Sequence, residues 1–315
     1  MQTFTEHEVD LEAWYNQTDE HTDKLRGPGT YTPAVMERLH GEGQQAVGTP
    51  LPWQKARGLW ALRPGEVTVW AGINGHGKSQ ATGQVALDLA CRGERVCVAS
   101  MEMMPETTVY RMTRQALGNY PPMQERVAGI HTELSGQLWI YDHRGTIEWQ
   151  KMIGLGRCIT SWKRPIHHLF IDSLMKLGID TDDYNAQKRC VNELCALAHD
   201  TGLHIHLIHH ARKSGGEDHP LDKFSVKGAG EIMDLADNGV LVWRNKKKER
   251  EAEKAAPDPE VNREPDALME VCKQRDGEWE GRLKLWFHQQ SMQFIDRPGP
   301  PVDYVQMLGL NTEAA

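Results

Sequence analysis

Residues 72–79 read GINGHGKS and match G-x-x-x-x-G-K-[ST], the pattern of a phosphate-binding loop. The run EVTVWAG (66–72) before it is apolar enough for a buried strand, and a helical pattern follows over 78–92. A strand before the loop and a helix after it are the context that this motif requires. Glycine lets backbone N–H groups surround an anion, and the helix N-terminus adds partial positive charge. The stretch therefore predicts a nucleotide-binding P-loop.

The side chains of this loop have separate expected roles. Lys78 can reach the β- and γ-phosphates of ATP, and the Ser79 hydroxyl can ligate Mg²⁺. ATP and Mg²⁺ are therefore the expected cofactors. The residues expected to contact ATP are Gly72, Asn74, Gly75, Gly77, Lys78, Ser79 and Gln80.

Outward from the loop, short apolar runs alternate with helical patterns. Candidate helices lie around 78–92, 105–117, 147–161 and 185–200. Continuous apolar strands separated by helices predict an α/β fold with a mainly parallel sheet covered by helices on both faces. The candidate strands are EVTVWAG (66–72), RVCVASM (95–101), QLWIYD (137–142), HHLFID (167–172), LHIHLIHH (203–210) and NGVLVWRN (238–245).

Two acidic residues stand at the ends of candidate strands. Asp172 ends HHLFID, and we expect it to support Mg²⁺ together with Ser79. Glu102 follows RVCVASM, where a carboxylate beside the phosphate loop can orient and deprotonate an attacking water. The alternative for both residues is that they only cap a strand end.

The ends of the chain and one internal stretch differ from this core. Residues 267–296 have short alternating runs and an Arg-Asp-Gly turn, which predicts C-terminal antiparallel hairpins at a sheet edge. Residues 246–266 are charged and lack an apolar period, which favours a solvated, mobile insertion. The expected organisation is a polar N-terminal arm (1–50), a folded domain (51–298) and a tail (299–315). TPAVMERLHGEG (32–43) predicts a short linker helix that must dock on its own core or on a neighbouring subunit.

Composition limits the compartment and the partners. The formal net charge is −8, so a nucleic-acid contact would need a local basic surface. The six cysteines show no C-x-x-C spacing and are typical of small buried residues in a reducing cytoplasm. No apolar run reaches the roughly 18–20 residues of a membrane span, so we expect no membrane partner.

Four histidines lie in LHIHLIHH (203–210), and they allow three interpretations: a zinc site, core packing, or contact with a bound ligand. Zinc needs further ligands, and no cysteine or carboxylate is placed to supply them. His204 and His206 are therefore predicted to pack in the core with their N–H groups satisfied. His209 and His210 end the strand, and in a parallel sheet that end faces the ligand crevice.

The order of these motifs resembles the RecA-fold ATPase domain of ring-shaped replicative helicases, the DnaB, Twinkle and phage primase–helicase group. The resemblance covers roughly residues 50–296 and implies a RecA-like P-loop NTPase core. It implies that Glu102 is the catalytic base, that Asp172 is the acid of the metal site and that His210 senses the γ-phosphate. It also implies that Lys273 and Arg275 act on the neighbouring subunit's γ-phosphate. The pieces that carry it are SMEM (100–103), HARK (210–213), SVKGAGEIMDLADNGVLVWRN (225–245) and KQRDGEWEGRLKLWFHQQSMQF (273–294).

The long loop after His210 is the expected DNA-binding element. It is glycine-rich and carries Arg212, Lys213, Lys223 and Lys227, which a ring would repeat around a channel. Its acidic residues favour the alternative of a solvated loop. The loop after Asp172 is a weaker, acidic candidate.

The resemblance predicts an ATP-dependent DNA helicase that acts as a homo-oligomeric ring, a hexamer, on single-stranded DNA. About 50 residues before the domain cannot hold a primase or zinc-binding module, so we expect any primase or loader to be a separate partner. Two alternatives stay open at this point. One is a RecA- or plasmid-type DNA-dependent ATPase, acting as a recombinase or loader, and the other is a nucleotide-gated scaffold without catalysis.

Overall fold

The computed structural model describes residues 2–4, 10–16, 27–40, 48–211, 219–220, 229–256 and 258–310. The strands are β1 (Gln2–Phe4), β2 (Thr49–Pro50), β3 (Ala61–Leu62), β4 (Val67–Gly72), β5 (Val96–Ser100), β6 (Leu138–Tyr141), β7 (His168–Asp172), β8 (His204–His210), β9 (Asn238–Arg244), β10 (Ala267–Gln274), β11 (Gly281–His288) and β12 (Gln293–Ile295). The helices are α1 (Leu11–Tyr15), α2 (Thr32–His40), α3 (Lys78–Cys91), α4 (Pro105–Leu117), α5 (Gln124–Leu134), α6 (Trp149–Thr160), α7 (Tyr184–Thr201), α8 (Ala229–Leu235), α9 (Lys246–Ala252), α10 (Pro259–Arg263) and α11 (Tyr304–Met307).

One large sheet organises the domain. Within the described part of the chain it has ten strands in the order β1-β6-β5-β7-β8-β4-β9-β10-β11-β12. Neighbouring strands are parallel from β1 to β9. Strands β10, β11 and β12 are antiparallel and form hairpins at one edge. The predicted α/β fold, with a mainly parallel sheet and C-terminal antiparallel hairpins, is confirmed.

The sheet is covered on both faces, because its central strands β4, β5 and β7 are buried at every position. In β4, Val67, Val69 and Ala71 point into one core cluster, and Trp70 points into the other. Helices α6 and α7 contribute to the first cluster, whereas α3 and α4 contribute to the second. Side chains alternate between the two faces of a strand, so a strand that is buried at every position requires helices on both sides of the sheet.

The parallel register brings the carboxyl ends of four strands to one edge. Ser100 lies opposite Asp172, and Gly72 lies opposite His210. The P-loop, Glu102, Asp172 and His210 therefore converge although they are far apart in the sequence. Ligands of open parallel sheets bind at this edge.

His204 and His206 pack in the core, as the sequence predicts. Both side chains are fully buried, and the His206 ring stacks on Phe170 with ring centroids 3.8 Å apart. His204 Nδ1 donates to the Arg63 carbonyl at 2.6 Å, which leaves Nε2 as the acceptor for the Thr68 hydroxyl at 2.9 Å.

The partners of His206 complete the same row of side chains. Its Nδ1 accepts from the Trp70 indole at 3.2 Å, which leaves Nε2–H to donate to His168 at 3.2 Å. The lone pairs that zinc would need on His204 and His206 are therefore already used. The zinc interpretation of this cluster is not supported.

Residues 246–266 form more regular structure than their composition suggests. Helix α9 begins where the Asn245 side chain accepts from the Lys248 backbone, and Lys248 pairs with Asp266 at 2.7 Å. Caps and ion pairs of this kind are local signals that leave no apolar period in the sequence. The stretch joins β9 to β10 through α9 and α10, and its mobility stays a prediction.

Residues on both sides of the predicted domain 51–298 also make contacts with it, and the domain boundaries themselves stay a prediction. Tyr304 and Val305 of α11 are fully buried, so packed structure continues past residue 298. Near the N-terminus, α1 packs on α6, and Arg157 donates to the Tyr15 carbonyl. The predicted linker helix is α2, which exposes Val35, Met36 and Leu39. Within the described residues, no helix is long and apolar enough to cross a membrane.

Candidate active site

The P-loop follows β4 directly and depends on glycine at two points. Gly77 has φ of 84° and caps the N-terminus of α3, a left-handed conformation that side chains with a Cβ rarely adopt. A Cβ on Gly72 would collide with the backbone carbonyl of Val242 in the neighbouring strand β9. The loop therefore needs glycine both to turn and to pass close to the sheet.

Lys78 is buried at the first position of α3. Its ammonium group donates to the carbonyls of Gly72 at 2.7 Å and Ile73 at 3.0 Å. Burial lowers the pKa of Lys78 to about 8, while the nearby carboxylates of Asp172 and Glu102 oppose that change. A cation is therefore already held inside the loop, where the β- and γ-phosphates of a nucleotide are expected.

Asp172 and Ser79 form the part of the site that fits a metal ion. Asp172 is 5% exposed, and the nearby Ser79 hydroxyl favours the charged form of its carboxyl. Among the described groups, Asp172 Oδ1 has no hydrogen-bond partner although it is buried. Burial raises the pKa of this carboxyl. A hard cation such as Mg²⁺ prefers oxygen ligands and keeps several waters, so both residues fit a magnesium site.

Glu102 lies beside this pair and is held by two hydrogen bonds. His210 Nε2 and the Ser173 hydroxyl both donate to Glu102 Oε1, at 3.1 and 2.7 Å. The His210 hydrogen bond is the main reason that the pKa of Glu102 is lowered to about 2. The ligand atoms of Glu102, Asp172 and His210 lie within 4.8 Å of one another. The structure thus brings together the predicted base, metal acid and sensor.

A cavity of about 690 Å³ opens above these residues. Eight of the predicted site residues line it, whereas Asp172 is buried and does not line it, and Gly72 contributes a carbonyl to Lys78. Gln80 and Met292 both line the cavity, and the Gln80 side-chain amide donates to the Met292 carbonyl at 2.6 Å. The predicted residues on the wall are Asn74, Gly75, Gly77, Lys78, Ser79, Gln80, Glu102 and His210.

The cavity also has lining residues that the sequence did not single out. Three are cations: Arg111 on α4, Lys176 after β7, and Arg244 at the end of β9. The antiparallel hairpin supplies Phe287 and Phe294 as an apolar wall. Arg244 and Phe294 lie inside the stretches 225–245 and 273–294, which carry the resemblance described above. Membership in these stretches was the signal in the sequence that could have marked them. Nothing local marked Arg111, because its helix carries no site motif.

Lys273 and Arg275 lie away from the cavity of their own chain. Lys273 donates to the carbonyls of Met233, Asp234 and Ala236 at the end of α8. The backbone N–H of Arg275 donates to Asp237, whose own N–H donates to Val67 at the start of β4. The P-loop follows the other end of β4, roughly 16 Å away at 3.3 Å per residue. Arg275 therefore cannot reach the phosphates bound by its own P-loop.

The predicted DNA-binding residues Arg212, Lys213, Lys223 and Lys227 lie outside the described residues. From the weaker second candidate loop, Met175 and Lys176 line the nucleotide cavity. A DNA contact by either loop stays a prediction.

The fold and this constellation define an ATPase-type P-loop domain with RecA-like architecture. Residues 42–216, more than half of the chain, match a family model described as "AAA domain", and the chain belongs to that family. Two solved structures share the fold. One is titled as an "ATPase Domain" (TM-score 0.72, 16% identity, covering 87% of this chain and 99% of that chain). The other is titled "The Structure Of A DnaB-Like Replicative Helicase And Its Interactions With Primase" (TM-score 0.65, 16% identity, covering 86% and 67%).

Proposed function

We propose that the protein is an ATP-dependent DNA helicase that works as a hexameric ring on single-stranded DNA and hydrolyses ATP at the subunit interfaces. One observation carries this proposal. Lys78, Asp172, Glu102 and His210 meet at the carboxyl ends of the parallel strands. Arg275 instead lies near the start of β4, at the opposite end of that strand. An arginine at that position can complete a site only on a second copy of the chain.

The site residues divide the hydrolysis step among themselves. Lys78 binds the β- and γ-phosphates. Asp172 and Ser79 would hold Mg²⁺, which would stabilise the negative charge that develops on the phosphate oxygens. Glu102 is ionised at neutral pH because its pKa is about 2, so it can orient a water and accept its proton. Arg275 of the neighbouring subunit adds positive charge as charge builds on the transferring phosphoryl group.

The bond between His210 and Glu102 supports a sensor role for His210. Nε2 of His210 donates to Glu102, and the same N–H cannot fully serve a γ-phosphate oxygen at the same time. Binding of ATP would therefore move the His210 imidazole toward the γ-phosphate and, in the same step, break its hydrogen bond to Glu102. His210 also ends β8, directly before the loop that carries Arg212 and Lys213. This continuity would pass the nucleotide state to DNA.

The partners follow from the same proposal. Single-stranded DNA would lie in the channel against Arg212, Lys213, Lys223 and Lys227. A primase or a loader is a further proposed partner. The DnaB-like helicase titled above interacts with primase, and that title supports the proposal by likeness of fold.

The test measures ATPase turnover with and without a single-stranded oligonucleotide, and images the protein with a non-hydrolysable ATP analogue. We expect DNA to stimulate turnover and closed rings to form. His210→Ala should abolish the stimulation and the ATP-dependent tightening on DNA together, because such coupling is reciprocal. The combined variant His204→Ala/His206→Ala serves as the control, since it should lose stability and keep the coupling. Filaments would indicate a recombinase, and a lack of stimulation would indicate a scaffold.

A further inference from the structure

Asp237, between α8 and β9, has a side chain that no step above uses. It lies inside the stretch 225–245 and is 3% exposed. Its Oδ1 pairs with Arg275 Nη1 at 2.9 Å, and its Oδ2 accepts from the backbone N–H of Val67 at 2.9 Å. Its backbone carbonyl accepts from the backbone N–H of Arg275, also at 2.9 Å. Asp237 therefore holds Arg275 at two points, since its carboxylate binds the guanidinium and its backbone carbonyl binds the Arg275 N–H.

The environment of the pair directs the guanidinium outward. The Arg275 side chain is 52% exposed, whereas that of Asp237 is 4% exposed. Arg275 Nη2 also donates to the Leu235 carbonyl at 3.3 Å, so two anchors hold the guanidinium on its inner side. Asp237 itself cannot shift easily because Val67 begins the central strand β4 and is fully buried.

A flexible arginine loses rotational freedom each time it engages a distant phosphate. Holding the group beforehand removes that cost, and a misplacement of about 1 Å can lower a rate roughly 10²-fold. A carboxylate that binds one side of a guanidinium still leaves its other N–H groups for a second anion. The arrangement around Arg275 has both properties.

We propose that Asp237 is a positioning residue that orients Arg275 toward the nucleotide bound by the adjacent copy of the chain. This inference rests on the proposed function, because it requires Arg275 to act across a subunit interface. Asp237 itself contacts no nucleotide. Its effect on hydrolysis passes entirely through Arg275.

The main variant is Asp237→Asn. An asparagine oxygen can still accept from the Val67 N–H, while the charge that attracts Arg275 is lost. We expect kcat for ATP in assembled rings to fall roughly 10- to 10²-fold with KM little changed. Asp237→Glu keeps the charge but places the carboxylate one methylene further from the backbone. It should lower kcat less than Asp237→Asn, again with KM little changed.

A double-mutant cycle separates positioning from a structural role. In an Arg275→Ala background, adding Asp237→Asn should change kcat by less than about twofold, because the group it positions is gone. Glu270→Gln is the matched control, since it breaks the exposed Arg282–Glu270 pair in the same hairpin and should leave kcat unchanged.

The outcomes distinguish this inference from the proposed function. If Arg275→Ala lowers kcat while Asp237→Asn equals wild type, the positioning role is wrong and the interface arginine stands. If Asp237→Asn lowers kcat equally in both backgrounds, the residue acts through stability and the inference is wrong. If Arg275→Ala leaves kcat of assembled rings unchanged, the interface role of Arg275 fails and the inference fails with it.

Discussion

At the scale of single residues, the site depends on a few charged side chains that hydrogen bonds hold in place. Lys78 is a buried cation with its ammonium already hydrogen bonded, and Glu102 is an ionised carboxylate held by His210 and Ser173. The first was readable from the sequence because its motif is contiguous. The hydrogen bonds of Glu102 were not, because residues 102, 173 and 210 come from three different strand ends.

Replacing Lys78 with alanine should remove productive nucleotide binding. The ammonium is the point charge expected at the β- and γ-phosphates, so ATP turnover should fall at least about 10²-fold. Steady-state ATPase assays and nucleotide-binding titrations check this. Lys284→Ala removes an exposed lysine on β11 and should behave as wild type. Wild-type turnover in Lys78→Ala would overturn the assignment of the phosphate loop.

Replacing Glu102 with glutamine should separate binding from hydrolysis. The amide keeps the shape of the side chain but cannot accept the proton of water, so ATP should stay bound while turnover nearly stops. A single-turnover assay on pre-bound ATP measures the two steps separately. Glu106→Gln, an exposed change in the first turn of α4, is the control. Loss of ATP affinity with unchanged turnover would instead point to Asp172 as the residue to re-test.

At the scale of elements, β8 performs two tasks along seven residues. Its first half carries His204 and His206 into the core, and its end carries His210 to the site. Burial lowers the pKa of His204 to about 4 and that of His206 well below its ordinary value. Both imidazoles are therefore neutral in the folded protein at neutral pH, and the hydrogen bond that His206 Nδ1 accepts from the Trp70 indole requires this of His206.

These lowered pKa values predict a loss of stability in acid. The unfolded chain binds protons near the ordinary histidine value of 6.5, whereas folded His204 does so only near 4. The stabilising contribution is therefore complete above about pH 6.5 and is lost as pH falls toward 4. For His204 alone, the free energy of unfolding should drop on the order of 2 kcal/mol between pH 7.5 and pH 5.

Urea titrations across that range measure the effect. His204→Gln should reduce the slope of stability against pH, whereas His219→Gln, which changes an exposed histidine, should not. Buried carboxyls with raised pKa values, such as Asp88, oppose the trend, so the comparison between variants is the relevant quantity. An identical slope in His204→Gln and wild type would show that His204 does not control acid stability.

At the scale of the whole molecule, the proposed function divides the catalytic site into two half-sites at opposite ends of β4. The carboxyl ends of the strands carry the P-loop and Glu102, and the opposite end of β4 lies beside Arg275 and Asp237. Helix α2 also exposes an apolar stripe of Val35, Met36 and Leu39. A chain with two half-sites at opposite ends of a strand is suited to a closed assembly in which each copy completes its neighbour.

Mixing two inactive variants tests that assembly directly. Arg275→Ala should lower turnover by about 10³- to 10⁵-fold without much loss of ATP binding. In rings that contain both Arg275→Ala and Glu102→Gln subunits, some interfaces combine an intact base with an intact arginine. We therefore expect part of the activity to return in the mixture, as measured by ATPase assay after assembly. Mixed rings that stay inactive would contradict an arginine supplied by the neighbour.

The sequence by itself determined the phosphate loop, the six central strands and the C-terminal hairpins. Each of these depends on contiguous residues: a glycine pattern, an apolar run or a turn. It also placed His204 and His206 in the core, since the position along a strand sets the depth below the ligand edge. These features are local, so neighbouring residues in the chain carry enough information to predict them.

Only the tertiary structure decided which distant groups meet. The bonds of Glu102 to Ser173 and His210 span 71 and 108 positions, and the Asp237 bond to Val67 spans 170. Such contacts follow from the order and register of strands, and nothing at either partner's position encodes the identity of the other. Helices α9 and α10 likewise escaped prediction because caps and ion pairs, without an apolar period, stabilise them. The physical reasons differ: pairing between distant groups is set by packing of the whole chain, whereas these two helices depend on local polar contacts that an apolar period does not reveal.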